Sequence, residues 1–472
     1  RHIMDLEEKL NRLTTVGYET GVRLLLSNGA IVNAADTDGL TPLHEAGRGH
    51  PEVAELLLSH DAHVNAVDDC GRTPLNYAAE VGRVIEVLVE HDADVNAVDS
   101  YNRAALHCLA CKGRERRVVE LLIRTGADIH HTNKFGETPL HTFAAIGYET
   151  GVRLLLSNGA RVNAADADGF TPLHEAARGH PEVAELLLSH DAHVNAVDDC
   201  GMTPLIYAAA QFSSNDPTSK IERRVGRVIE VLVEHGADVN AVDSYNRAAL
   251  HCLACKGRER SAELLIANGA DVTLADSRGW TPLHYAAGTA TPAGRPPVVG
   301  LLLQHGAQIE ARDKEGKTPL ICATSCRDAY GWSRHDTPQE KVLQRLLDGG
   351  ADPESYVNSA LLLATLCCVN GRRNRREYCE EQELMVRKLM AHGADPRKLV
   401  TFDRSKIRPA RYALQTLQAA LECGLVRDLD LLKRLFEYEL FDDRFGDYEG
   451  FNKDEEHRER HQCLVREHLT KL

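Results

Sequence analysis

The tripeptide Thr-Pro-Leu recurs at Thr41, Thr73, Thr138, Thr171, Thr203, Thr281 and Thr318, and a weaker Ala-Ala-Leu stands at Ala104 and Ala248. Most intervals fall between 31 and 34 residues. A fixed period of this length constrains the fold more than any bulk property does. Each period is one supersecondary unit that cannot bury its apolar side alone, and stacked copies share a continuous core. That also resolves the length: 472 residues exceed one compact core, yet no Gly/Ser-rich or Pro-rich linker divides them.

The unit from Asp168 to Asp198 shows the local logic. Gly169 supplies a turn, Thr171 suits an N-cap, and Pro172 suits the first helical position, where no N–H is needed. A short helix then runs to about Arg178 and breaks at Gly179-His180-Pro181. Pro181 opens a second helix, with Val183, Leu186, Leu187 and Leu188 on one apolar face. Asp191 follows its end, where a left-handed residue, usually Gly, is expected. Ala192 to Asp198 is long enough only for an extended turn into the next unit.

The motifs G-x-T-P-L-H, the Ala-Ala after it, Gly-His before the second helix, and the ending Gly236-Ala237-Asp238-Val239-Asn240 together resemble the ankyrin-repeat family. The likeness is clear over roughly residues 15 to 350 and faint over 351 to 440. It implies an all-α fold, a solenoid of about eleven or twelve helix-turn-helix repeats with degenerate C-terminal repeats. Residues 1–37 are expected to form an N-terminal cap, 38–350 the solenoid, 351–440 degenerate capping repeats, and 441–472 a charged helix or tail.

A larger duplication overlies the repeats. Tyr18–Glu80 returns as Tyr148–Ala210, and Val81–Arg116 as Val225–Arg260. The copies differ at Ile31/Arg161, Leu40/Phe170, Arg72/Met202, Asn76/Ile206 and Glu80/Ala210, among other positions. Most of these lie beside T-P-L or along the first helix, places that largely face the concave groove in the family. Either the groove is being re-tuned, or exposed positions drift in any duplicate. Four stretches interrupt the period between the two helices of a repeat: 211–224, 288–297, 325–340 and 370–380. Insertions at one point of a repeat emerge on one edge, often a binding face. The third contains Tyr330 and Trp332.

Chemistry is harder to find. His-Cys-Leu-Ala-Cys at His107–Cys111 and His251–Cys255 contains C-x-x-C, yet no second pair follows at zinc spacing, and both copies fall on a helix. Cys108 and Cys252 are expected to pack, with Cys111 and Cys255 more exposed. The repeated histidines His44, His141, His174 and His284, with His107 and His251 equivalent, read as structural ties between repeats, because a catalytic histidine would appear once with a partner. The asparagines of V-N-A (Asn33, Asn65, Asn96, Asn163, Asn195 and Asn240) are expected to bond within the turns. No P-loop, G-x-S-x-G elbow or H-E-x-x-H is present. An aromatic cage at Trp280 would have only Tyr245 and Tyr285 for company.

The net charge of −15 argues against general nucleic-acid or anionic-membrane binding, and no apolar run of about 18 residues suggests a membrane span. Thirteen scattered cysteines and a charged start read as an intracellular chain, cytoplasmic or nuclear, with reduced thiols. The resemblance implies a protein-binding scaffold or adaptor, expected to be a monomer with no cofactor, no metal and no catalysis. The residues expected to meet the partner are Leu40, Arg72, Asn76, Phe170, Met202, Ile206, Tyr245, Trp280, Tyr330 and Trp332. Two alternatives remain: a substrate-recognition adaptor of a ubiquitin ligase, and an enzyme with its site in the degenerate C-terminal third.

Overall fold

The computed structural model describes residues 2–78, 82–112, 116–211, 220–288, 295–324, 339–353, 388–389 and 391–394. Among these residues every regular element is a helix, and the helices come in pairs. The pairs are α1 (His2–Thr15) with α2 (Glu19–Ser27), α3 (Pro42–Gly47) with α4 (Pro51–Leu58), and α5 (Pro74–Tyr77) with α6 (Gly82–Glu90). They continue with α7 (Ala105–Lys112) and α8 (Arg116–Arg124), α9 (Pro139–Ala145) and α10 (Glu149–Ser157), α11 (Pro172–Ala176) and α12 (Pro181–Leu188), and α13 (Pro204–Ala210) and α14 (Lys220–Glu234). The last are α15 (Ala249–Lys256) and α16 (Glu259–Ala267), α17 (Pro282–Gly288) and α18 (Arg295–Gln304), and α19 (Pro319–Thr324) and α20 (Gln339–Asp348).

The chain divides into two compact units, Arg1–Ala249 and Leu250–Leu472. The boundary falls inside the stretch that the sequence reads as one array. In the first unit the odd-numbered helices pack on one another in order (α1 on α3, α3 on α5, α7 on α9, α9 on α11), and the even-numbered ones form a second layer from α2 to α14. In the second unit α17 packs on α19, and α16, α18 and α20 follow the same rule. The core lies between the two layers. It is built from small and aliphatic side chains, such as Leu43, Ala46, Val53 and Leu57 in one repeat and Leu173, Ala176, Val183 and Leu187 in its duplicate.

Pro at the first position and Thr before it start the first helices, and α12 begins at Pro181 after the Gly179-His180 break. After the second helices the chain turns left-handed. Gly29, Gly126 and Gly159 do this without steric cost, and Asp61, Asp92 and Asp191 hold the same conformation at φ between 62° and 64°. The last residues of the interruption at 211–224 are helical, since α14 begins at Lys220. All four interruptions lie mainly outside the described residues, as do Tyr330, Trp332, nearly all of the degenerate stretch 351–440, and the tail 441–472.

Candidate functional site

Most turns are organised by one aspartate, buried at Asp68, Asp99, Asp198, Asp243, Asp276 and Asp313, with Asn133 in its place in one turn. Asp68 Oδ1 accepts the N–H groups of Cys70 and Arg72, both at 2.8 Å. The same pattern joins Asp36 to Leu40 at 2.9 Å, Asp166 to Phe170 at 2.8 Å, Asp198 to Met202 at 2.7 Å and Asp276 to Trp280 at 2.8 Å. Sequence reasoning overlooked these acids. Their signal was an Asp three residues before the turn glycine or asparagine, repeated from turn to turn. The carbonyl of the same fourth residue is held too. Arg72, Phe170 and Met202 accept from Nε2 of His44, His141 and His174 of the preceding repeat, each at 3.0 Å. At Arg72, Phe170 and Met202 the backbone is therefore clamped at both ends, whatever the side chain.

The histidines do what their repetition implied. Thr41 N–H donates to His44 Nδ1 at 3.0 Å, so the neutral ring carries its proton on Nε2 and gives it to the next repeat. Burial lowers the pKa of His44, His107, His141, His174 and His284, against a smaller raising effect from the carbonyls they bond. The V-N-A asparagines differ from expectation. They bond across repeats rather than within a turn: Asn163 Nδ2 donates to Asp191 O at 3.0 Å, and its Oδ1 accepts from His193 N at 2.7 Å. Asn33, Asn65, Asn96 and Asn195 bridge in the same way. The amide is long enough to reach the next turn and take up a backbone carbonyl and N–H there.

Leu40, Arg72, Phe170, Met202 and Trp280 thus share one structural position, each half-buried. Tyr245 sits at a turn tip, 60% exposed, with the Arg247 guanidinium 5.1 Å from its ring. Two candidates need correction. Asn76 is only 8% exposed and caps its own helix, taking the Thr73 N–H at 2.8 Å as histidine does elsewhere. Ile206 is 1% exposed and belongs to the core. Neither presents a surface to a partner, because the fourth position of the T-P-L-x box points back at the turn. Trp280 is a link between repeats as well as a surface residue: its Nε1 donates to Asp313 Oδ2 at 3.0 Å, and its ring stacks on His284. The cation over Trp280 is the chain's own Arg278, at 4.8 Å, and Tyr285 is buried with its hydroxyl on Asp276.

Cys252 and Cys255 are both half-buried, as is Cys108, so the expected contrast between packing and exposed thiols does not separate them. Among the described residues no cluster of His, Cys, Asp or Glu has the geometry to hold a metal ion, and no helix is long and apolar enough to cross a membrane.

Around Tyr77 the turn position opens into a cavity of about 520 Å³ lined by Asp38, Leu40, Arg48, Asp68, Arg72 and neighbouring turn residues. Arg72 and Arg48 lie 4.7 and 5.1 Å from the Tyr77 ring centre, and the phenol donates to Asp68 Oδ2 at 2.6 Å. In the duplicate, Phe170 packs edge-on against Tyr207 at 5.1 Å. There Arg178 Nε pairs at 2.9 Å with Glu175, whose pKa burial pushes up to about 6.

No curated protein sequence matches the chain. The family model for ankyrin repeats in sets of three copies matches residues 13–68, 62–132, 106–198, 194–276 and 264–357. Paired helices, capped by Thr and Pro and tied through histidine to the next turn, recur across those same residues, and the chain belongs to the ankyrin-repeat family.

Proposed function

We propose that the protein is a scaffold or adaptor that binds a partner polypeptide through the row of clamped turn residues and has no catalytic role. The observation that carries this reading is the aspartate clamp on each of these turn residues, doubled by a histidine at Arg72, Phe170 and Met202. One backbone frame displays Leu40, Arg72, Phe170 and Met202 in turn, so side-chain chemistry varies while the stack does not. Ankyrin repeats typically mediate protein–protein contacts, and in the family this row faces the concave groove. The test is affinity capture from native cell extract with the wild-type chain and with a Leu40→Ala/Phe170→Ala/Met202→Ala variant. Capture of a partner is expected to fall at least ~10-fold, in line with the loss of a few interface anchors, while the melting temperature shifts by only a few degrees. Undiminished capture would remove the row from the interface.

A further inference from the structure

We propose that the cavity at Tyr77 is an anion-accepting site for an acidic side chain of a partner polypeptide, and that the duplicate of this site has lost that chemistry. The inference takes its polypeptide source from the partner-binding reading above.

Each guanidinium in the cavity meets its carboxylate partner within the protein through Nε alone. Arg72 gives only its Nε to Asp68, at 2.9 Å, and Arg48 Nε lies 3.4 Å from Glu45. The terminal amino groups of both guanidiniums make no hydrogen bond among the described residues. Arg103 and Arg247 contrast with this, since each also brings Nη2 to 2.7 Å from its own aspartate. Tyr77 sits against both Arg48 and Arg72, which positions two guanidiniums on one cavity wall. Planar N–H forks of this kind suit a carboxylate. On the rim, the Asp38 and Asp69 side chains make no hydrogen bond or ion pair among the described residues. They favour an acidic residue with a basic neighbour over a wholly acidic segment.

The duplicate is a built-in control. Asp168, Asp199 and Cys200 keep the rim, but Met202 replaces Arg72, and Phe170 fills the place of Leu40 against Tyr207. The remaining guanidinium, Arg178, is engaged by Glu175 at 2.9 Å.

Cys70 and Cys200 report on the two sites. Both are exposed and hold the same turn position, each N–H bound to an aspartate at 2.8 Å. The full chain is alkylated with iodoacetate and, separately, with iodoacetamide, and rates at each thiol are read by peptide mass spectrometry. The ratio of the two rates at one thiol cancels its own reactivity. At low salt the iodoacetate preference is expected to be about three-fold higher at Cys70 than at Cys200, the scale of local electrostatic attraction. Arg72→Met, which the duplicate frame already tolerates, should abolish the difference, and Met202→Arg should raise the ratio at Cys200. Equal ratios at the two thiols, or no change in Arg72→Met, overturn the site. At matched ionic strength, N-acetylglutamate α-amide should slow iodoacetamide labelling of Cys70 and not of Cys200. Protection by inorganic phosphate alone would overturn the carboxylate assignment. These rates read the cavity alone, so failure here leaves the wider groove reading standing, and failure of the capture experiment leaves the cavity result intact.

Discussion

At the scale of single residues, burial decides protonation, and the two kinds of buried titratable group pull in opposite directions. The capping histidines have folded-state pKa values below 6.5, so the unfolded chain binds more protons as pH falls through 6.5. Their contribution to stability is present above that pH and lost below it. Glu175 behaves oppositely. Its pKa rises from 4.5 to about 6, chiefly through burial, with Arg178 opposing the shift and Glu137 and Asp166 adding to it. The folded state binds its proton more tightly, so the charged form is a liability at neutral pH that is relieved as pH falls from about 6 to 4.5. Glu175→Gln should therefore stabilise the chain by about 2 kcal/mol at pH 7.5. Urea midpoints should show that gap narrowing below pH 6 and closing near pH 4.5. A gap that stays constant with pH would mean that Glu175 is not the titrating group.

At the scale of elements, short helices depend on what lies beyond their ends. α11 has five residues and α5 has four, too few to be stable in isolation. Thr-Pro starts them, and the His or Asn at the fourth position returns to the cap. The turns that follow are joined by side-chain amides, so each bridge belongs to two repeats. Asn163→Ala removes a donor to Asp191 O and an acceptor for His193 N–H. Its expected cost is about 0.5–1.5 kcal/mol, the net worth of a hydrogen bond whose partners water can reach. Hydrogen exchange should quicken at the His193 amide, while the amides of α18 keep their protection.

At the scale of the whole molecule, stability in a repeat stack is a sum over neighbours. Leu57 in α4 is fully buried, and Leu57→Ala should cost about 2–5 kcal/mol. α4 packs on α2, α3 and α6, so faster exchange is expected in those helices. Protection in α18 and α20, within the second unit, should remain at the wild-type level. Uniform loss of protection across both units would show instead that the chain unfolds as one cooperative body.

The sequence alone determined the repeat, its all-α character and the roles of Thr, Pro and His. Those are local matters: a capping hydroxyl, a fixed φ and a period need no partner more distant than the next unit. It also exposed Leu40 with Phe170 and Arg72 with Met202 as equivalent positions, because the duplication let them be compared. Tertiary structure alone decided where polar side chains go. In sequence Asn76 reads as a groove position and Asn163 as a turn residue, yet one caps its own helix and the other reaches the next repeat. Ile206 reads as a varied position, yet it is buried. Likewise only the fold brings Arg48 and Arg72, from successive repeats, to one tyrosine ring. Contacts between repeats depend on stacking geometry, which the order of residues in one repeat does not record.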